Sequence, residues 1–162
     1  MPDSPGAQLE IVHLLRAVTV ELSLRTADFA ARNGMHPTDV RALIRLMDAR
    51  REGTDMTAGR LGAELGLHSA GTTGLIDRLE RLGHVRRVRD ARDRRRVLIE
   101  IEERAVALGQ SFFGPLIGRT VELLQGYDEQ QLAAVKGFLG GVLGHARGAA
   151  DTRGAADTPG SR

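Results

Sequence analysis

GHVRRVRDARDRRRVLIEIE, from Gly83 to Glu102, is the stretch whose reading decides the fold. Apolar and polar residues alternate from His84 to Val88 and again from Val97 to Ile101. That is the period of a half-buried strand, and the Asp/Arg middle reads as a turn. A β-hairpin is therefore predicted, with Arg92, Arg94, Arg95 and Arg96 in its loop beside Asp90 and Asp93. From Arg86 to Arg96 there are seven Arg and two Asp, a local charge of +5, whereas the 162-residue chain carries only +2. So basic a tip suits a wing that grips nucleic acid.

The residues before the hairpin supply its context. Thr57 is positioned to cap a helix that runs to Leu65 and ends at Gly66. Leu67 to Ala70 make a tight turn. A second helix follows over about 70–82, with Leu75, Ile76, Leu79 and Leu82 as its apolar face, and Gly83 closes it. Helix, Gly-containing turn, helix and hairpin is the winged helix-turn-helix order. Upstream, Pro37 falls in the first turn of a helix over 38–49 that buries Val40, Leu43, Ile44 and Met47, with a polar loop over 51–55. The DNA-reading core is thus expected over about 37–102.

Long amphipathic helices flank this core. Residues 8–32 carry Leu9, Val12, Leu15, Val18 and Leu22 at helical spacing, and Asn33 and Gly34 break the run. After the hairpin, 103–125 reads as a helix kinked near Gly114 and Pro115. Asp128 caps a last helix whose stripe is Leu132, Val135, Leu139, Val142 and Leu143. These stripes exceed what a small winged module can cover. The flanking segments, 8–34 and 103–146, are therefore expected to build a homodimer interface. A two-fold DNA reader presents two recognition helices about one helical turn apart, which fits a dimer. Residues 1–7 are expected to be flexible. The Gly/Ala/Pro-rich end, 147–162, repeats GAADT and reads as a disordered tail.

Composition narrows the function. Aromatic residues make up 3% of the chain and Trp is absent, which disfavours stacking on single-stranded bases. Absent cysteine excludes disulfides, thiolate zinc sites and thiol-based oxidant sensing. No apolar run approaches the roughly 18 residues that span a bilayer, and MPDSPGAQLE does not read as a signal peptide, so a cytoplasmic protein is expected. The cations are 22 Arg and the single Lys136. Arg forms forked hydrogen bonds to phosphate and guanine and enters narrow minor grooves. No HExxH, CxxC or Gly-rich phosphate loop occurs, so neither catalysis, a cofactor nor a metal is expected. His13 and His145 would meet only at a dimer interface, and they read more simply as solvated or core histidines.

The expected DNA contacts follow from this order. His68, Ser69, Ala70, Thr72 and Thr73 open the recognition helix, where small and hydroxyl-bearing residues allow close approach to base edges. Gly71 and Gly74 each cost roughly 0.8–1 kcal/mol of helix stability relative to Ala, which suits a surface that needs close approach. Arg78, Arg81, Arg86, Arg87 and Arg89 are expected to neutralise phosphates. Asp90 and Asp93, interleaved in the wing, are expected to orient neighbouring Arg side chains by paired hydrogen bonds. The alternative function is a winged-helix module that binds protein and uses its basic surface only incidentally.

The stretch LGAELGLHSAGTTGLIDRLERLGHVRRVRDARDRRRVLIEI resembles the MarR family of bacterial winged-helix repressors. The DRLERLGHVRR join and the D-x-R-D-x-R wing, here Asp90, Arg92, Asp93 and Arg95, carry the likeness, which extends over 8–146. The resemblance implies a mainly α fold with a small β-hairpin, a winged helix-turn-helix core flanked by N- and C-terminal dimerisation helices. It further implies a homodimer on a palindromic operator, usually repressing, with a small ligand or oxidant weakening binding. By the same analogy Arg92 would enter the minor groove, with Arg95 as its supporting partner. The wing Arg94 joins them as a DNA-binding candidate. An effector pocket between the terminal helices and the core would be lined by Leu15, Leu22, Phe29 and Phe112, suiting an apolar or aromatic ligand. Two positions depart from the family: Gly74 replaces a long polar side chain, and His84 stands where Leu is common.

Overall fold

A computed structural model describes residues 5–154. It has six helices and one hairpin: α1 (Pro5–Arg32), α2 (Pro37–Glu52), α3 (Ala58–Leu65), α4 (Ser69–Arg81), β1 (Val85–Arg89), β2 (Val97–Ile101), α5 (Glu103–Leu124) and α6 (Glu129–Gly154). This is the winged-helix order expected from the sequence. The chain divides into two compact units, one up to Phe112 and one from Phe113.

The first unit holds the core. Val40, Leu43 and Leu46 of α2, Leu61 of α3 and Leu75, Ile76 and Leu79 of α4 are buried together with Val85 and Ile99 of the hairpin. Ile44 departs from expectation, being 43% exposed, while Leu46 takes the buried place. The C-terminal end of α1 is fixed by Phe29, whose ring lies 5.0 Å from that of Phe112 at 55°. The N-terminal part of α1 leaves Leu9, Ile11, Val12, Leu14 and Val18 exposed.

Local chemistry sets the boundaries. The Thr57 hydroxyl accepts from the Arg60 amide, so the expected cap forms. Gly66 (φ 67°) and Gly83 (φ 71°) close their helices in the left-handed region that glycine enters without strain. α2 continues to Glu52, two positions into the expected loop, because Gly53 rather than Arg51 supplies the left-handed stop. β1 runs Val85–Arg89 and pairs antiparallel with β2, Val85 opposite Ile101 and Arg89 opposite Val97. The Ile99 amide donates to the Met56 carbonyl at 2.8 Å, so the segment before α3 borders the hairpin as well. That contact joins residues far apart in sequence and has no local signature.

The second unit contains the rest of α5 and α6. Pro115 lies within α5, which is continuous across it. Asp128 caps α6: its carboxylate accepts from the Gln131 amide at 2.8 Å while the Gln131 side chain accepts from the Asp128 amide at 2.9 Å. Ile117, Val121, Leu123, Phe138, Leu139 and Leu143 are exposed. The helices reach further than expected at both ends of the chain. α1 begins at Pro5 inside the segment expected to be flexible, and α6 continues past Arg147 to Gly154. The rest of the expected tail, 155–162, lies outside the described residues.

The α3–α4 contact sets the pose of the reading helix. A Cβ placed on Gly62 would lie 2.4 Å from the Thr72 hydroxyl and 3.3 Å from the Leu67 carbonyl. Thr72 is short and buried, so it cannot swing away. Gly62→Ala is expected to destabilise the protein by about 1–3 kcal/mol in urea unfolding. Gly59→Ala, with open space around it in the same helix, should be neutral or stabilising. Equal effects of the two substitutions would contradict this packing.

Candidate nucleic-acid interface

The start of α4 is built by His68, whose Nδ1 accepts from the Gly71 amide at 3.0 Å. The helix then turns one face outward. Ser69, Ala70, Thr73, Gly74, Asp77 and Arg81 are exposed, whereas Thr72, Leu75, Ile76 and Leu79 are buried. Thr72, expected among the DNA contacts, is instead a packing residue, and its hydroxyl donates to the His68 carbonyl at 3.1 Å. Its spacing from Leu75, Ile76 and Leu79 already places it on the apolar face, a signal available in the sequence. Gly74 leaves the outward face bare, with nothing within 4 Å of an added Cβ.

The arginines divide into two sets. Arg78 donates to both oxygens of Asp39, at 2.8 and 2.5 Å. Asp39 is fully buried and also accepts from the His36 amide at 2.8 Å. The hydrogen bond to Asp39 raises the pKa of Arg78 above its ordinary value, so Arg78 keeps its charge. Arg78 therefore ties α4 to α2 rather than standing free for a phosphate. Arg86 pairs with Glu100 at 2.7 Å and with Glu102 at 3.7 Å. Arg87 pairs with Asp77 at 2.6 Å and also with Glu80. Arg78, Arg86 and Arg87, expected at phosphates, thus each have acidic partners within the chain.

The tip of the wing is a different environment. Asp90 is buried, and its carboxylate accepts from the Arg92 amide at 2.8 Å. Asp93 accepts from the Arg95 amide at 3.0 Å. The hairpin is closed by Asp90 N–H to the Arg96 carbonyl at 3.1 Å and Arg96 N–H to the Asp93 carbonyl at 2.9 Å. The two Asp thus support the wing through its backbone, not by orienting Arg side chains as expected. Among the described residues the one side-chain ion pair of these two Asp is Arg96 with Asp90 at 3.1 Å, without hydrogen-bond alignment. Arg96 also lies 3.6 Å from Asp55. Arg92, Arg94 and Arg95 are exposed and have no ion pair among the described residues. Arg81 and Arg89 are exposed in the same way.

The four residues expected to line an effector pocket do not come together as one. Phe29 and Phe112 are in ring contact, Leu22 is exposed and Leu15 is half-buried. A cavity of about 380 Å3 lies elsewhere, between Leu46, Arg50, Met56, Arg86, Ile99 and Glu103. Among the described residues no group of three or more His, Asp or Glu side chains could hold a metal ion, and no helix is long and apolar enough to cross a membrane.

A sequence profile described as MarR family matches residues 33–96, which span α2 to the wing. The uncharacterized HTH-type transcriptional regulator YcgE of Bacillus subtilis (strain 168) is 37% identical over 107 residues, 66% of this chain and 67% of that protein. The chain belongs to the MarR family. It is a winged helix-turn-helix transcriptional regulator by that membership. Solved structures share the fold at lower identity. A variant of MepR from a multidrug-resistant S. aureus clinical isolate superposes with a TM-score of 0.68 at 18% identity, covering 90% of this chain and 99% of that one. The S. aureus MepR–DNA complex gives 0.55 at 18% identity, covering 83% and 98%.

The Arg78–Asp39 pair makes a direct prediction. Arg78→Ala leaves a fully buried carboxylate without its cation, and the expected loss is roughly 3 kcal/mol in urea unfolding. Arg86→Ala, at an exposed pair, should change stability little. If Arg78→Ala unfolds no more easily than Arg86→Ala, the tether is not structural.

Proposed function

We propose that this chain is a ligand-responsive repressor that binds double-stranded DNA as a homodimer on a palindromic operator. The observation that carries this reading is the pairing of two surfaces. The exposed side of α4, with Ser69, Ala70 and Thr73, stands beside a wing whose Arg92, Arg94 and Arg95 side chains have no ion pair among the described residues. Small residues at a helix start suit the major groove, and unpaired guanidinium groups suit phosphate and the minor groove. His68 belongs to this surface chiefly by holding the α4 start. The fold shared with MepR, which has been solved in complex with DNA, supports the same reading.

The dimer is supported by apolar surface. Leu9, Ile11, Val12, Leu14 and Val18 on α1, and Ile117, Val121, Leu123 and Phe138 on α5 and α6, are exposed in the single chain. Exposed apolar surface on this scale marks an interaction face. An apolar or aromatic effector is proposed to act where a second copy completes the surroundings of Leu15 and Leu22, next to the Phe29–Phe112 contact. Its binding would alter the spacing of the two reading heads. The protein would act in the cytoplasm, together with the DNA.

Selection of bound duplexes from a random library tests the core of this reading. The expected outcome is an inverted repeat with half-sites about one helical turn apart, 10–10.5 base pairs between centres. Recovery of no duplex at low salt would remove DNA binding, and recovery of a single asymmetric site would remove the two-fold dimer.

A further inference from the structure

His84 is the most unusual buried group of the reading head. The residue is 4% exposed, and its Nδ1 has no hydrogen-bond partner among the described residues. The residue sits where α4 ends and the wing begins. Its amide donates to the Leu79 carbonyl at 2.9 Å, and its carbonyl accepts from the Glu102 amide at 2.9 Å. The first bond belongs to the reading helix and the second to the last rung of the hairpin. Any displacement of His84 therefore changes the angle between the two surfaces that would touch DNA.

The charged groups around it come from four sides. From α5, Arg104 acts on it directly, and the Arg104 guanidinium lies 2.9 Å from the position of a Gly83 Cβ. From α2, Asp39 acts in the opposite sense. From α4, Arg78 already occupies both oxygens of Asp39. From the end of the hairpin comes Glu102, whose carboxylate is engaged 3.7 Å from Arg86. Asp39 is thus committed to Arg78, and Glu102 lies toward Arg86. An uncharged imidazole is tolerated there; a charged one adds a cation to a buried site in which Asp39 is already paired with Arg78.

We propose that His84 is a proton-operated positioning residue: uncharged, it keeps the α4–wing junction closed, and protonated, it loosens that junction and weakens duplex binding. Two routes relieve the buried charge. His84 can leave its site, breaking the bonds to Leu79 and Glu102, or Asp39 can turn toward it and release Arg78, untying α4 from α2. Both disturb the pose of the reading helix against the wing. The proposal rests on the DNA-binding function proposed above.

The direction of the pH effect follows from the site. Burial lowers the His84 pKa below the ordinary histidine range, the nearby Arg104 charge lowers it further, and Asp39 opposes both. On acidification the unfolded chain takes up this proton before the folded one does. The stability linked to His84 is therefore complete above the ordinary histidine pKa. It is lost as pH falls through that value toward the lowered folded one.

His84→Leu fills a similar volume and cannot titrate. Duplex titrations and urea unfolding without DNA are to be run on both proteins from about pH 7.5 to about pH 5.5, a range that brackets histidine titration. A single linked proton changes an equilibrium by at most about tenfold per pH unit. Wild-type duplex affinity is expected to fall roughly tenfold more than that of the variant across this range. Wild-type stability should decline with pH more steeply as well. Parallel pH profiles of affinity overturn the proposal, even if stability diverges. His84→Gln, polar and non-titrating, repeats the comparison should the Leu variant fold poorly. If neither protein binds duplex at neutral pH, the DNA-binding function itself fails. The unfolding profiles then decide the junction alone: divergence supports it and parallel decline overturns it.

Discussion

The reading head depends on one buried carboxylate. Asp39 receives the His36 amide, which starts α2, and the two donors of Arg78, which belongs to α4. A single side chain thereby caps one helix and anchors another. A fully buried carboxylate without partners is prohibitive, so the pair forces α4 to lie where Arg78 can reach it. Gly62 against Thr72 sets the close approach to α3, and His84 links the end of α4 to the wing. The outward face of α4 is what remains after these inward constraints are met.

The same principle sorts the arginines. A local charge of +5 over Arg86–Arg96 suggests a uniform basic patch. The pairings show otherwise. Arg86 and Arg87 are held by Glu100, Glu102, Asp77 and Glu80, and Arg96 by Asp90 and Asp55. Glu100 and Glu102 lie across the hairpin and Asp77 and Glu80 lie on α4, outside that count. What remains without an ion pair among the described residues is Arg89 at the end of β1 and the tip arginines Arg92, Arg94 and Arg95, the tip held in shape by Asp90 and Asp93 through the backbone amides of Arg92 and Arg95. Unpaired charge is concentrated at the exposed tip, and the arginines nearer α4 and the strands are paired within the chain.

Most of the architecture was legible in the sequence because it is written in local terms. Alternation marked the hairpin, Thr57 marked a cap, and Gly66 and Gly83 marked helix ends. The features that were not legible are contacts between distant residues. Asp39 reads only as an acidic residue in a first turn until Arg78, far along the chain, is brought to it. The role of Asp90 and Asp93 was foreseen in kind but not in partner, because side-chain pairing and backbone capping use the same residues. Thr72 was misplaced although its spacing from Leu75, Ile76 and Leu79 places it inward. The surroundings of an effector have no local signature either: of Leu15, Leu22, Phe29 and Phe112, the two Phe pack on each other.

The division between paired and unpaired arginines is the central claim, and salt dependence measures it most directly. Each phosphate contact contributes about 0.9 to the slope of log affinity against log salt on duplex DNA. The slope is to be measured for the wild type, for a variant with Arg92, Arg94 and Arg95 all replaced by Ala, and for a variant with Arg86 and Arg87 replaced. The account predicts a clearly shallower slope for the wing-tip variant and a nearly unchanged slope for the other. A loss of slope confined to the Arg86 and Arg87 variant would contradict it.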